Sequence, residues 1–151
     1  MKLEFLVEYH ADLKPPQAVG AGPFGNRQIF EVTGGTFEGP RLRGTIETGG
    51  GDWLLIGADG IGHLDVRATF RTHDGALIYV QYHGVIDLPA RAARRPPAGS
   101  RGDYGDDYFM TAPRFETGDE RYAWLNSVIA VAEGRSAPNA VEYRVYQVVN
   151  G

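Results

Sequence analysis

His63-Leu-Asp-Val-Arg-Ala-Thr-Phe-Arg-Thr72, His73-Asp-Gly75, Ala76-Leu-Ile-Tyr-Val-Gln-Tyr-His-Gly-Val85 is the stretch on which the fold turns. In the first arm Val66, Ala68 and Phe70 alternate with Asp65, Arg67, Thr69 and Arg71, and in the second Tyr79, Gln81 and His83 share one side. A period of two is the mark of a half-buried strand. The Asp74-Gly75 pair between the arms favours the left-handed backbone of a tight turn, so the stretch reads as a β-hairpin.

Outward from this hairpin the same period recurs. Leu3, Phe5, Val7 and Tyr9 alternate with Lys2, Glu4, Glu8 and His10. Arg27 to Thr33 and Arg41 to Thr48 follow, closed by Gly34-Gly35 and Gly49-Gly50-Gly51. Trp53 to Gly57, Tyr108 to Glu116 and Glu142 to Val149 complete the clear strands. Leu88 to Asp107, with Pro89, Pro96 and Pro97 and four arginines, reads as a long irregular loop. Thr117 with Glu120 resembles a capping box, so a helical turn is expected near Asp119 to Ala123, and the β-branched run after it is expected as a strand to about Ala132. Short strands joined by Gly-rich turns, with at most one or two helical turns, point to an all-β antiparallel barrel or sandwich.

The chain of 151 residues holds 21 Gly, 42% hydrophobic residues and no Cys. That glycine share is about twice the usual ~7% and fits many turns and bulges. The length suits one domain, here 1–151, with one sizeable core, and the absence of Cys removes disulfide and thiolate-metal explanations. A net charge of −4 argues against nucleic acid and anionic membranes as partners. With neither a signal-peptide core nor an 18-residue apolar run, a cytoplasmic location is expected.

The run Val32-Thr-Gly-Gly-Thr-Phe-Glu-Gly-Pro-Arg-Leu-Arg-Gly44, continued by Gly50-Gly51-Asp52-Trp53, resembles the signature of the DUF3237 family, also called UPF0311. Arg71 to Val80, Tyr108-Phe109, Phe115-Glu116-Thr117 and Tyr122-Ala123-Trp124-Leu125-Asn126 extend the resemblance in order along the chain. It departs at His73, where the family often has a carboxylate or other polar residue, and in the long Arg-rich loop. The resemblance implies a calycin/lipocalin-like antiparallel β-barrel of about eight to nine strands. Some relatives resemble cyclases or isomerases of natural-product pathways, which implies a lumen able to host non-redox chemistry.

Several residues are candidates for such chemistry. Asp52 follows three glycines at a strand mouth. It reads either as a base beside an indole, Trp53, that stacks on ligand, or as a turn cap before a core Trp. Asp52 and Glu116 are the candidate general acid and base, with Tyr79 or Tyr108 donating to a developing oxyanion. Desolvation beside aromatic walls would raise the carboxyl pKa toward neutrality. Trp53, Arg67, Tyr82, Trp124 and Asn126 are the candidate substrate-binding residues. If the Asp65, Arg67, Thr69, Arg71 face points inward, Arg67 needs a partner such as a ligand carboxylate or phenolate; if outward, it is a solvated face.

Other motifs carry less. His10, His63, His73 and His83 lack metal-ligand spacing, so no metal is expected, and the glycine clusters match no phosphate-binding pattern. Serines lack a nucleophile-elbow context. Arg91, Arg94, Arg95 and Arg101 read as an anion-attracting lid over a barrel mouth or as a solvated loop. The chain is therefore expected to be a small-molecule barrel: a cofactor-free cyclase, isomerase or lyase acting on an aromatic or polyketide-like substrate. The competing expectations are a lipocalin-type binding protein and a homo-oligomeric structural protein with a filled barrel.

Overall fold

The computed structural model describes residues 1–151 and contains ten strands and two short helices. The strands are β1 (Lys2–Leu13), β2 (Gln17–Gly22), β3 (Gly25–Glu38), β4 (Arg43–Ile46), β5 (Gly50–Ile56), β6 (Gly62–Thr72), β7 (Leu77–Ile86), β8 (Phe109–Glu116), β9 (Ala130–Ala137) and β10 (Ala140–Val149). The hairpin expected from His63 to Val85 is β6–β7, with Arg67 opposite Gln81 and Thr69 opposite Tyr79. Its turn is closed by the Gly75 amide donating to the Thr72 carbonyl at 3.0 Å, and Gly75 has a φ of +91°, which side-chain-bearing residues rarely adopt.

β4 and β5 are two halves of one broken strand. β4 pairs with the C-terminal ends of β3 and β6, and β5 pairs with the N-terminal parts of the same two neighbours. Counted as one, they make an antiparallel meander of eight strands, which β1 closes by pairing with both β10 and β3. Closure requires a close approach at Gly35, where a Cβ would fall 2.0 Å from the His10 carbonyl oxygen. The antiparallel barrel is therefore the observed fold, its thinnest seam lying between β8 and β9, which pair only at Met110–Glu133 and Thr111–Ala132.

Strands alternate strictly between wall faces. On β6, Leu64, Val66, Ala68 and Phe70 are buried, while His63, Arg67 and Arg71 are exposed. Inward aromatics pack one half of the barrel solid, with Phe37 stacked on Phe70 at 4.8 Å between centroids and Tyr9 edge-on to Phe70 at 5.2 Å. A 3-10 helix, Glu120–Ser127, closes that end. Tyr122 and Leu125 lie three residues apart, the repeat of such a helix, and both are buried in the same core as the strands. Asp119 caps it by accepting from the Arg121 amide at 2.9 Å.

Three expectations need correction. The helical turn expected near Asp119 to Ala123 runs four residues further, to Ser127, because Leu125 is drawn fully into the core, and the following strand starts only at Ala130. Leu88 to Asp107 is not wholly irregular: α1 (Leu88–Arg94) forms there, capped by Asp87, with Pro in its first turn, where a missing N–H costs nothing. Finally, β2 was not anticipated; it folds back on β3 through the Gly22–Gly25 turn.

Candidate active site

The half of the barrel away from the 3-10 helix is hollow. A cavity of about 320 Å³ opens where Lys14, Pro15, Leu88, Arg91 and Asn139 meet, and its walls include Phe30, Leu54, Leu64, Val66 and Ile86. Across the wall, Phe30, Asp52, Val66, Tyr82 and Pro113 form one row of directly opposed residues on five adjacent strands. Asp52 thus enters an otherwise apolar row. It is the only carboxylate lining the cavity.

Asp52 Oδ1 accepts a hydrogen bond from the Asp65 amide at 3.0 Å, which fixes the carboxylate's orientation. Burial pushes its pKa upward. The Asp65 amide pulls it down and the nearby Asp65 carboxylate pushes it up again, leaving it at about 6 against an ordinary 3.8. A carboxyl poised there takes or gives a proton near neutral pH with little driving-force penalty.

Tyr82, in the same row as Asp52, and Tyr143 also line the cavity, and Tyr9 packs against both rings. Tyr82 and Tyr143 approach to 5.4 Å between ring centroids, and Tyr9 and Tyr143 to 4.9 Å. Burial raises the pKa of all three phenols, and the Asp52 charge adds to the effect at Tyr82 and Tyr143. They stay protonated and are therefore hydrogen-bond donors at any ordinary pH. The Tyr9 hydroxyl is buried with no partner.

The expected residues do not gather in one pocket. Of them, Asp52 and Tyr82 line the cavity. Trp53, next to Asp52 in a strand, faces the opposite side by necessity. Its ring lies 5.7 Å from the Arg67 guanidinium on the outer wall, and its carbonyl accepts from Arg27 at 2.8 Å. Arg67 is exposed, so the polar face of β6 is the solvated one and needs no ligand anion. Tyr79 and Glu116 oppose each other on the outer wall, where Glu116 is exposed. Tyr108 is 60% exposed just before β8.

Trp124 and Asn126 belong to the closed end. The Arg41 guanidinium sits 3.6 Å over the Trp124 ring. Asn126 accepts from the Thr117 amide at 2.8 Å and donates to its carbonyl at 3.0 Å, which ties the 3-10 helix to β8. The expectation that Glu116, Tyr79, Tyr108, Trp53, Arg67, Trp124 and Asn126 share a pocket with Asp52 is thus corrected by strand parity and by which end is plugged. Sequence reasoning missed Tyr143; its signal was the Val141, Tyr143, Val145 alternation of the last strand. Of the arginine run, Arg91 alone lines the cavity. Arg94 pairs with Asp106 and Asp107, and Arg101 with Glu142.

No group of three His, Asp or Glu side chains is arranged to hold a metal ion. His10 lies between Asp12 at 2.9 Å and Glu142 at 2.8 Å. No helix is long and apolar enough to cross a membrane.

Fold and site together define a small closed antiparallel barrel, plugged at one end and open at the other, with one carboxylate in its lumen. The chain belongs to the DUF3237 family, described as a protein of unknown function, whose profile matches residues 1–148. It is 32% identical over 125 residues to a UPF0311 protein of Rhodopseudomonas palustris, covering 83% of this chain and 82% of that one. The crystal structure of a beta-barrel like protein from Acinetobacter baumannii is similar with a TM-score of 0.81 and 33% identity, covering 97% of this chain and 94% of that one. The hydroalkoxylation enzyme phnH of Penicillium herquei is 28% identical over 128 residues, 85% of this chain and 70% of that enzyme.

Proposed function

We propose that the lumen is the active site of a cofactor-free, redox-neutral enzyme in which Asp52 moves one proton on a small, largely aromatic or polyketide-like molecule. The observation that carries this is the single lumenal carboxylate, held by the Asp65 amide and raised to about 6. Tyr82 and Tyr143 supply donors to oxygen charge that develops in the transition state. The similarity to a hydroalkoxylation enzyme supports chemistry of this kind, since adding an alcohol O–H across a carbon–carbon double bond changes no oxidation state overall and relocates one proton.

In such an addition ionised Asp52 takes the substrate hydroxyl proton while the oxygen forms a bond to an alkene carbon conjugated to a carbonyl. The alkene pair shifts to the bond beside the carbonyl and the carbonyl π pair moves onto its oxygen, giving an enolate to which Tyr82 and Tyr143 donate. Protonated Asp52 then returns the proton to carbon. The free enzyme must be ionised at Asp52, so kcat/KM rises with pH through about 6 and then levels.

Closure of 2′-hydroxychalcone to the cyclic ether, followed by absorbance, tests this reaction class. The protein accelerates closure above the buffer rate, Asp52→Asn lowers the acceleration by at least ~100-fold, and Glu116→Gln on the outer wall leaves it unchanged. An Asp52→Asn variant as fast as the parent removes Asp52 from the chemistry. Binding of the chalcone without any acceleration favours the lipocalin-type reading, to which the apolar wall is equally suited.

A further inference from the structure

The cavity's charges are arranged in order of depth. Asp52 stands in the wall beside Tyr82, whereas the cations that line the cavity, Lys14 and Arg91, stand at its open end. Lys14 follows directly on β1, which ends at Leu13, and Arg91 belongs to α1, which Asp87 anchors through the Ala90 amide at 3.0 Å. Packing also holds α1 in place: a Cβ at Gly60 would lie 2.8 Å from Pro89, so this helix rests on the β5–β6 turn.

These two cations are incompletely paired. Arg91 has one ion contact, its Nε to Asp107 Oδ2 at 4.0 Å, because Asp107 is already engaged by the Nη2 of Arg94. A 4.0 Å separation is beyond hydrogen-bond range, so the planar donor fork of Arg91 stays unsatisfied at the cavity rim. Lys14 Nζ reaches Glu31 at 3.1 Å, with both side chains about half exposed, a pair of little energetic weight. The chain as a whole is anionic, at −4, so cations gathered at the mouth of an apolar cavity, with Arg91 lacking a hydrogen-bonded acidic partner, run against the overall charge.

We infer that the lumen selects amphipathic monoanions, an apolar ring system entering first and a carboxylate or comparably acidic oxygen held at the rim by Arg91 with Lys14 beside it. This rests on the reading of the lumen as a small-molecule site and names its substrate class. The same charge order sets orientation. An ionised Asp52 repels an acid group that enters first, while Arg91 captures one that trails, so the reactive end of the ring system faces Asp52, Tyr82 and Tyr143. Arg91 is thereby a specificity-determining residue, and guanidinium–carboxylate pairing in a partly desolvated rim gives it geometric selectivity that Lys14 lacks.

Two probes of equal shape separate charge from fit: 2-naphthoate and its neutral amide, 2-naphthamide, titrated calorimetrically into the whole chain at low ionic strength. The naphthoate binds about tenfold tighter, and raising the salt narrows the gap. Arg91→Gln removes most of that preference while the naphthamide affinity changes less than twofold; Lys14→Gln has a smaller effect of the same kind. If both probes bind equally to the parent chain, or if Arg91→Gln weakens both alike, the anion-selecting rim is overturned while the small-molecule site stands. If neither probe binds, the small-molecule reading falls and this inference with it.

Discussion

Asp52 is held among Phe30, Leu54, Leu64 and Val66, where its carboxylate loses much of its water, and its raised pKa has a consequence for stability. In the unfolded chain this carboxyl ionises near 3.8 and in the folded chain near 6, so between these values the folded state binds more protons. Stability therefore falls as pH rises from about 4 to 6, and the full penalty of ~3 kcal/mol stands above that window. Asp52→Asn removes an ionisation that the fold resists. Its unfolding temperature gains on the parent by several degrees more at pH 7.5 than at pH 4.5, as scanning calorimetry at the two pH values will show; an equal gap at both contradicts the burial of a charged Asp52. A substitution that stabilises the fold while abolishing turnover is the expected behaviour of a catalytic carboxylate.

Asp52 was legible as a candidate from its place after three glycines, but its partnership with Trp53 was not tenable. Neighbours in a strand point to opposite faces, and with Phe30 and Val66 flanking Asp52 the indole had to lie outside. The same parity separates Tyr82 from Tyr79, and Phe115 from Glu116. What the residues alone left open was which parity faced inward on β6. There the answer was energetic: Arg67 and Arg71 find water more cheaply than buried partners.

Among the elements, the hairpin β6–β7 was the most legible, because turn chemistry and period agree. The 3-10 helix Glu120–Ser127 was the least, because Tyr122, Leu125, Val128 and Ile129 have helical spacing while Leu125, Ser127, Ile129 and Val131 alternate as in a strand. Tertiary packing decided the conflict by drawing Tyr122 and Leu125 onto the barrel's closed end. The Tyr122 hydroxyl donates to Asp74 at 2.8 Å, so the plug is latched to the very turn that defines the hairpin. Leu125 is fully buried. Leu125→Ala leaves a cavity under the plug and lowers the unfolding free energy by about 3 kcal/mol, measurable by urea denaturation. A loss below about 1 kcal/mol means that the helix is only draped on the barrel rather than closing it.

Over the whole molecule, closure of the sheet was legible through the family resemblance and not through the strand pattern, and the two unlike ends were not legible at all. A barrel and a sandwich share the same strand pattern, and only the β1–β3 pairing at Gly35 distinguishes them. Nor does any local signal say that α1 and Lys14 frame one end while Tyr122 and Leu125 fill the other. That polarity is what turns a packed barrel into one with a blind lumen, its aromatic half rigid, its open half lined by apolar side chains around Asp52. Catalysis by Asp52 requires that carboxyl to titrate near neutrality from inside the lumen. A carbon-13 NMR titration of the chain labelled at its aspartate carboxyls, with Asp52 assigned by its absence from Asp52→Asn, measures this without knowledge of the substrate. The expected Asp52 midpoint is about 6 and moves when 2-naphthoate fills the cavity; a midpoint near the ordinary 3.8, indifferent to the ligand, would remove Asp52 from the lumen's chemistry.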